Sequence, residues 1–313
     1  MTADAIHLSV VVPFHNEEAS LSSLVEQVVE HTRGIAPVEI ILVDDGSTDR
    51  SPAVAADLCK AHPEVKMLRF AGNHGKAAAL QAGFEAVSGQ IVITMDADLQ
   101  DDPSEIPRFV EKLNEGYDLV SGWKAVRHDP WHKTLPSKLF NGVVRTVFHV
   151  PLHDFNCGFK AYRSELLANL HLYGELHRYI PVFAARDGAR IAEIAVRHHP
   201  RQHGRSKYGA ERLLKGFLDL ITVFVITRFL KRPLHFFGGF GLLLGSVGAG
   251  CLTYLACLWL LGVRPIGTRP LLFYGILGLL AGGQLFSVGI LGEMMIRLSG
   301  KNDPPAISER IGF

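Results

Sequence analysis

The fold of this chain is decided by the stretch Thr94-Met95-Asp96-Ala97-Asp98-Leu99-Gln100-Asp101-Asp102-Pro103. The apolar and β-prone run from Ile91 to Met95 leads into it and predicts a buried strand. Four carboxylates then follow within seven residues, and Pro103 is suited to open a helix. Carboxylates packed this closely repel one another, so the stretch indicates a site where a cation offsets their charge.

The spacing of this acidic loop favours a metal site. Asp96 and Asp98 are two residues apart, and Gln100 continues the alternation with a neutral oxygen ligand. Such ligands suit Mg²⁺ or Mn²⁺, which keep open positions for substrate phosphates. An acidic loop that only caps the helix from Pro103 explains the motif equally well, because a lone Asp-x-Asp is common.

Composition limits the function classes. The net charge of +1 over 313 residues gives no basic field for nucleic acid. Hydrophobic residues make up 48% of the chain and are concentrated in its last third. The cysteines form no Cys-x-x-Cys pair, which argues against disulfides and zinc and fits a reducing compartment; they are Cys59, Cys157, Cys251 and Cys257. The short apolar run from Leu8 to Val12 is not expected to be a signal peptide.

Strand-like and helix-like segments alternate through the first 121 residues. Helical patterns of about ten to fifteen residues separate the apolar runs, which predicts a mainly parallel α/β sheet covered on both faces. Ligands bind such sheets beyond the carboxyl ends of the strands. The expected strands are residues 8–13, 38–43, 65–70, 91–95 and 117–121.

Polar motifs follow these predicted strands and are expected to meet at one edge. Asp44 and Asp45 precede a Gly-Ser turn, where a carboxylate can accept hydrogen bonds from a base or ribose. Capping of the helix that starts at Ser51 is the alternative. The turn Gly72–Lys76 lacks the spacing of a phosphate loop and places a basic residue at the nucleotide edge.

Taken in order, four motifs resemble the inverting glycosyltransferase family 2, which has a GT-A fold. They are Val11–Glu18, Val43–Asp49, Asn73–Lys76 and Asp96–Gln100. The resemblance implies a metal held by Asp96, Asp98 and Gln100, with Asp98 in a catalytic role. It also implies a nucleotide-sugar pocket that includes Pro13, Glu17, Asp44, Lys76 and Asp96.

The middle of the chain resembles the polyprenyl-phosphate branch of that family. Its marks are the segments 153–163, 177–181 and 201–208. Asp154 matches the position of the usual general base. The resemblance implies that the last segment clamps the donor diphosphate through Arg201, Ser206, Lys207 and Tyr208, and that Arg201 and Lys207 assist catalysis. Basic donors opposite an anionic leaving group suit that task.

Residues 123–136 are rich in charge and tryptophan and show no strand or helix period. A basic, aromatic loop at the sheet edge suits an acceptor phosphate with an apolar tail, and an ordinary solvated loop is the alternative. The expected acceptor-phosphate ligands are Lys124, Arg127 and Lys133.

The last third predicts membrane attachment. Residues 209–232 form an expected amphipathic juxtamembrane helix, which either lies in the membrane interface or packs on the catalytic domain. Residues 234–262 and about 270–294 carry long uncharged runs that are able to span a bilayer. Two spans place the catalytic domain, 1–208, and the tail, 299–313, on one side. Basic flanks and the need for nucleotide sugars favour the cytoplasmic side of a bacterial inner membrane.

The sequence therefore predicts a membrane-anchored, metal-dependent hexosyltransferase. It would move a hexose from a nucleotide diphosphate sugar, UDP-glucose first, to a polyprenyl phosphate such as undecaprenyl phosphate, and give a β-linked product. GDP-mannose or another UDP-sugar is the alternative donor; a processive polysaccharide synthase and a non-catalytic scaffold or flippase are the other hypotheses. The resemblance also implies a homo-oligomer, a tetramer. Asp154 is expected to orient groups at the acceptor site, since a phosphate nucleophile needs no base.

Overall fold

The computed structural model describes residues 7–35, 37–125, 131–168, 170, 172–199, 219–225, 227 and 233–299, without the side chains of 131–136, 138, 139 and 296–299. The chain forms two compact units, Met1–Leu220 and Ile221–Phe313. The predicted catalytic domain ends at residue 208 instead. Residues 201–218 lie outside the described ranges, so the predicted domain boundaries stay predictions.

The first unit is built on a sheet of seven strands in the order β3-β2-β1-β4-β6-β5-β7. The first four strands in this order are parallel to one another, while β6 runs antiparallel to both β4 and β5. The edge strand β7 pairs in parallel with β5. The strands are β1 Leu8–Phe14, β2 Val38–Asp44, β3 Val65–Arg69, β4 Ile91–Thr94, β5 Leu119–Trp123, β6 Lys160–Arg163 and β7 Ile191–Ala195.

Helices flank this sheet and connect its parallel strands. Helix α4 follows the short 3₁₀ turn Pro103–Glu105, so Pro103 opens a helical segment as predicted. A second 3₁₀ turn, Leu176–Tyr179, precedes α7. The helices are α1 Leu21–Thr32, α2 Ser51–Ala61, α3 Lys76–Ala86, α4 Ile106–Asn114, α5 Trp131–Phe148, α6 Ser164–Leu167 and α7 Ile180–Arg186.

The core lies on both faces of the parallel strands. In α1, apolar side chains recur at helical spacing and are buried: Leu21, Leu24, Val25 and Val28. Every residue of β4 is buried, as a strand covered on both faces requires. Gly83 lets α3 approach the sheet closely, since a Cβ there would lie 2.4 Å from Cγ1 of Val11. This α/β architecture confirms the predicted fold class.

The structure corrects the interpretation of residues 123–136. Trp123 ends β5, and α5 begins at Trp131 and continues through Pro136. The sequence of residues 131–136 shows no helical hydrophobic period, so the prediction of a loop for these residues was wrong. A proline five residues inside a helix start is also unexpected, because proline removes a backbone donor.

The second unit contains two long apolar helices, α8 Gly239–Leu260 and α9 Pro270–Ser299, with a π-helical turn, Leu234–Gly238, before α8. Segments Leu234–Leu260 and Pro270–Met295 are each long and apolar enough to cross a membrane. Glycines bring these helices together, since a Cβ on Gly241 would lie 2.6 Å from the carbonyl oxygen of Gly282. Of the predicted juxtamembrane helix, residues 219–225 and 227 are helical and the rest lies outside the described residues.

Candidate active site

The candidate site lies at the edge of the sheet where β1, β2 and β4 end. Backbone hydrogen bonds tie the loops after these strands together. Asp45 N donates to Phe14 O at 2.9 Å, and Phe70 N donates to Asp44 O at 2.9 Å. This edge is the side on which parallel α/β sheets bind their ligands.

Asp44 ends β2 and is fully buried. Its Oδ1 accepts a hydrogen bond from the N–H of Ser47 at 2.8 Å. Nε of Arg69 lies 3.2 Å from Oδ2, yet Oδ2 has no hydrogen-bond partner among the described residues. The guanidinium of Arg69 offsets part of the charge of this buried oxygen, and a hydrogen-bonding position on it suits a ligand that offers N–H or O–H groups.

Asp45 fastens the neighbouring loop to this edge. Its carboxylate accepts hydrogen bonds from the N–H groups of His74 at 2.7 Å and Gly75 at 2.9 Å. Gly46 allows the close approach, because it has a φ of +68° and a Cβ there would lie 2.4 Å from the carbonyl carbon of Gly72. Asp45 therefore acts on loop structure, and Asp44 is the carboxylate left for a ligand.

Pro13 and Glu17 are half-buried beside Asp44's strand end. Pro13 lies opposite Val43 in the parallel pairing of β1 and β2. The N–H of Glu17 donates to Oγ of Ser51 at 2.8 Å, which holds the loop after β1 against the start of α2. Both predicted pocket residues are thus placed at the same edge of the sheet.

Asp96 follows β4 and is paired with Lys76 at the start of α3. Burial works to raise the pKa of Asp96, but the ammonium groups of Lys76 and Lys124 outweigh it and hold the pKa below its ordinary value of 3.8. Gly158 packs on this carboxylate, since a Cβ there would lie 2.7 Å from Oδ1. Asp96 is therefore ionised at neutral pH in a positive environment.

Lys124 contacts the acidic loop that follows β4. Its Nζ is 3.1 Å from Oδ1 of the buried Asp101. Burial works to lower the pKa of Lys124, but the charges of Asp101 and Asp96 outweigh it and raise the pKa above its ordinary value of 10.5. Lys124 is thus a fixed positive charge beside the acidic loop.

The rest of the acidic loop turns sharply at Leu99, which has a φ of +58°. Such a conformation is uncommon for a branched residue and is often found at functional sites. Asp98, which is 8% exposed, accepts a hydrogen bond from the N–H of Gln100 at 3.2 Å. Gln100 is held in turn by His199, whose N–H donates to its carbonyl oxygen at 2.9 Å.

The donor atoms of this loop fit a hard divalent cation. Asp96 and Asp98 supply carboxylates and Gln100 an amide oxygen, which are the ligand types that Mg²⁺ and Mn²⁺ prefer. Asp96 already attracts the cationic group of Lys76. Among the described residues no group of three His, Cys, Asp or Glu side chains converges to hold a metal. The predicted ligand set, with two carboxylates and one amide, stays a prediction.

Asp154 lies in the loop before β6 and is 1% exposed. Its Oδ1 accepts a hydrogen bond from the N–H of Asn156 at 3.1 Å. Its own N–H donates to Glu193 on β7 at 3.0 Å. The next residue, Phe155, donates its N–H to Asn141 of α5 at 3.3 Å. The loop that carries Asp154 is therefore fixed from two sides.

A cavity of about 690 Å³ opens beside the acidic loop. Its wall includes Arg108 and Arg197, which flank the buried Glu105. Arg108 pairs with Glu105, and the N–H of Arg197 donates to the same carboxylate at 3.4 Å. Glu105 offsets part of the charge of the two guanidinium groups on this wall.

Residues 9–186 match the family model described as glycosyl transferase family 2, which is more than half of the chain. The chain belongs to this family. The predicted family, and with it the predicted glycosyltransferase activity, is confirmed.

Curated relatives extend over nearly the whole chain. A dodecaprenyl-phosphate galacturonate synthase of Rhizobium johnstonii is 39% identical over 96% of this chain and 90% of its own length. An undecaprenyl-phosphate 4-deoxy-4-formamido-L-arabinose transferase of Pseudomonas paraeruginosa is 38% identical over 93% of this chain and 85% of its own length. The similarity thus includes the apolar helices as well as the family 2 domain.

Solved structures share the fold of the first unit. Glucosyl-3-phosphoglycerate synthase of Mycobacterium tuberculosis with Mn²⁺, UDP and phosphoglyceric acid gives a TM-score of 0.57 at 21% identity, over 71% of this chain and 78% of the other. The same enzyme with Mn²⁺ and UDP-glucose gives 0.53 at 22% identity, over 71% and 79%. At these identities the likeness concerns the fold alone.

Several predicted site residues of this family member cannot be placed. Arg127 and the diphosphate-clamp residues Arg201, Ser206, Lys207 and Tyr208 lie outside the described residues. Lys133 lies on α5, but its side chain is not described. The roles assigned to these residues, and to Lys124, stay predictions.

The structure adds residues to the site that the sequence did not single out. Lys160 starts β6 opposite Thr94, is buried, and donates to the carbonyl oxygens of Phe155 and Cys157. Burial lowers its pKa. An isolated lysine at the start of a strand is a weak signal, because most such residues face solvent.

His177 also belongs to this region. Burial, followed by the charges of Lys76, Arg178 and Lys160, holds its pKa well below the ordinary value of 6.5. Its Nδ1 is buried and has no hydrogen-bond partner among the described residues. The sequence marked the segment 177–181 as a family feature, and the structure places the imidazole of His177 in a buried environment under the influence of the positive charge of Lys76.

Proposed function

We propose that this protein transfers a sugar from a nucleoside diphosphate donor to a polyprenyl phosphate. The observation that carries the proposal is the similarity to two curated transferases over 96% and 93% of the chain. Both are named for sugars attached to a polyprenyl phosphate. The buried Asp44 and the acidic loop after β4 support a nucleotide-sugar site at the sheet edge.

The base of the donor is proposed to be uracil, as in the predicted donor UDP-glucose, and the complexes of the fold neighbours with UDP are compatible with this choice. Which sugar the donor carries is a separate question. UDP-glucose and the alternative GDP-mannose stay predictions, while the two relatives are named for galacturonate and 4-deoxy-4-formamido-L-arabinose. A donor panel must therefore include all four sugars.

The proposed reaction breaks the bond between the anomeric carbon and the diphosphate oxygen. It forms a bond between that carbon and an oxygen of the acceptor phosphate. By analogy with other phosphate monoesters, the second ionisation of the acceptor lies at about pH 6, so the nucleophile is mostly a dianion at neutral pH. No proton has to leave during attack, and alignment of two anions becomes the main task.

The described residues suit that task. Lys76 and Lys124 provide positive charge around Asp96, and Asp44 offers a buried acceptor to the nucleoside. Asp96, Asp98 and Gln100 would hold Mg²⁺ or Mn²⁺, which when bound stabilises charge on a diphosphate leaving group. Asp154 would orient the acceptor site from its fixed loop.

The second unit is proposed to anchor the enzyme in a bacterial inner membrane. Its two apolar segments fit that role, and a polyprenyl phosphate is itself a membrane lipid. We place the first unit and the tail on the cytoplasmic side, where nucleotide sugars are made. The predicted tetramer is part of this proposal.

The test is a transfer assay with the purified full chain in undecaprenyl phosphate-containing vesicles. UDP-glucose, UDP-galacturonate, UDP-linked 4-deoxy-4-formamido-L-arabinose and GDP-mannose are supplied one at a time. The lipid fraction is extracted and its mass measured. We expect one donor to yield a polyprenyl-phosphate sugar, and omission of the lipid to abolish the product. Equal transfer to a water-soluble alcohol without the lipid would contradict the proposal.

A further inference from the structure

Glu193 of the edge strand β7 holds the segment that carries Asp154. Its Oε1 accepts hydrogen bonds from the N–H groups of His153 at 2.9 Å and Asp154 at 3.0 Å. Its Oε2 contacts Nδ1 of His153 at 2.7 Å. The Glu193 side chain is only 9% exposed, so these are protected contacts of an ionisable group.

The N–H groups of two successive residues, His153 and Asp154, donate to the same oxygen of Glu193. These two hydrogen bonds fix the backbone conformation at Asp154. The ring of His153 is fixed as well, since it stacks on Trp123 with the ring centroids 4.5 Å apart. Trp123 precedes Lys124, which contacts the acidic loop through Asp101. Glu193 thus connects an outer strand to the region where the donor and acceptor would meet.

We propose that Glu193 is a positioning residue for the transfer reaction, acting through the backbone of His153 and Asp154. This inference rests on the proposed function. The carboxylate oxygen that receives both N–H groups sets where the Asp154 side chain stands. Sequence spacing gives no hint of it, because 39 residues separate the two carboxylates.

Two substitutions at this position separate positioning from charge. Glu193→Gln keeps an oxygen that accepts both backbone N–H groups, whereas Glu193→Ala removes it. We expect Glu193→Ala to lower kcat by about 10²-fold, the loss that a small displacement of groups orienting the substrates can cause. The KM for the donor should stay unchanged, because the nucleotide edge at Asp44 is formed by other loops. Glu193→Gln should retain most of the kcat.

Glu39 offers a matched control near the amino ends of the parallel strands, away from the carboxyl ends where the candidate site lies. It is a buried carboxylate near the start of β2 that accepts hydrogen bonds from Oγ of Ser9 and the N–H of Ser88, both at 2.6 Å. Its other oxygen pairs with Nζ of Lys66 at 2.6 Å. Glu39→Ala removes the hydrogen bonds from Ser9 and Ser88, and Glu39→Gln keeps an oxygen that accepts them, both far from the proposed site. We expect them to change thermal stability without the selective loss of kcat.

Hydrogen–deuterium exchange tests the contact without any assay of activity. In the full-length protein, Glu193→Ala should speed exchange at the amides of His153 and Asp154, and Glu193→Gln should leave it near that of the wild type. Wild-type exchange in Glu193→Ala would overturn the proposal, as would faster exchange with an unchanged kcat. A Glu193→Gln variant as slow in catalysis as Glu193→Ala would also overturn it. The wild type could also transfer no sugar to polyprenyl phosphate while the variants show the expected exchange at His153 and Asp154. In that case the proposed function is wrong, but the hydrogen bonds from Glu193 to this segment are supported.

Discussion

At the scale of single residues, Asp98 gives the most direct test of the acidic loop. It lies one residue before the left-handed turn at Leu99 and is nearly buried. If it holds a divalent cation, Asp98→Ala should abolish transfer, and EDTA should do so reversibly. Activity is measured after EDTA treatment and again after Mg²⁺ or Mn²⁺ is restored. Full turnover in EDTA would show that the loop serves another purpose.

Asp154 should behave differently from Asp98, because a phosphate dianion needs no general base. Asp154→Asn keeps the shape and the oxygen that accepts the N–H of Asn156, but it loses basicity. We expect it to retain much more activity than Asp98→Asn. The rate of both the wild type and Asp154→Asn should rise with pH through the ionisation of the acceptor. An Asp154→Asn variant as inactive as Asp98→Asn, with normal donor and lipid binding, would argue for a base.

The lowered pKa of His177 predicts that the free energy of unfolding depends on pH. Burial and the neighbouring Lys76, Arg178 and Lys160 hold its pKa well below 6.5, against the weaker opposing charge of Asp96. Below pH 6.5 the unfolded chain binds a proton that the folded protein resists. The free energy of unfolding should therefore fall by up to about 1.4 kcal/mol per pH unit from this group as the pH decreases.

The comparison of wild type with His177→Asn isolates this effect, since the other histidines are present in both proteins. Thermal unfolding of each is followed from pH 7.5 down to about pH 5. We expect the Tm of the wild type to fall more steeply below pH 6.5 than that of the variant. Parallel curves would show that His177 titrates normally.

At the scale of elements, the sequence predicted the first five strands, β1 to β5, and missed β6 and β7. β1 to β4 are apolar runs bounded by polar turns, a pattern that specifies a buried strand. β6 begins with the buried Lys160 and has only four residues, so it carries no such pattern. The half-buried edge strand β7 was also missed, and its short apolar run is interrupted by Glu193. Pro136 concealed the helix that begins at Trp131.

The residues of the candidate site also fall into those that the sequence predicted and those that only the structure shows. Asp44 and Asp96 were predictable because each lies at the carboxyl end of an apolar run that forms a parallel strand. Glu193 acts through a loop that lies 39 residues away in the sequence, whereas Lys160 donates to the carbonyl oxygens of the nearby Phe155 and Cys157 from a short strand that has no apolar pattern. A single sequence carries local patterns but not the partner of each side chain, so these two residues needed the structure.

Packing of α3 on the sheet leads to a stability prediction. A Cβ at Gly83 would lie 2.4 Å from Cγ1 of Val11, whereas nothing lies within 4 Å of a Cβ at Gly142 in α5. Gly83→Ala should lower the free energy of unfolding by about 1–3 kcal/mol through overpacking. Gly142→Ala should stabilise by about 0.5–1 kcal/mol, because alanine favours a helix interior. Thermal unfolding of the two variants gives the comparison, and equal shifts would contradict it.

At the scale of the whole molecule, the second unit exposes an apolar surface that water does not tolerate. Leu243 of α8 is 64% exposed, and Met295 of α9 is 71% exposed. Soluble monomers rarely leave continuous apolar areas of this kind uncovered. Glycine contacts such as Gly248 against Gly275 let the two helices pack through their backbones, which leaves the long side chains facing outward.

We therefore expect the full chain to stay in membranes washed with alkaline carbonate, with release only by detergent. Val247 and Leu280 are exposed near the middle of the two apolar segments, and arginine at a helix centre costs about 2.5–3.5 kcal/mol of insertion free energy. The double substitution Val247→Arg with Leu280→Arg should greatly reduce the carbonate-resistant fraction. Val263→Arg, which places the same charge in the connection between the segments, should leave that fraction unchanged because the connection lies outside the hydrocarbon core. Release of the wild type by carbonate would show that the helices do not span a bilayer.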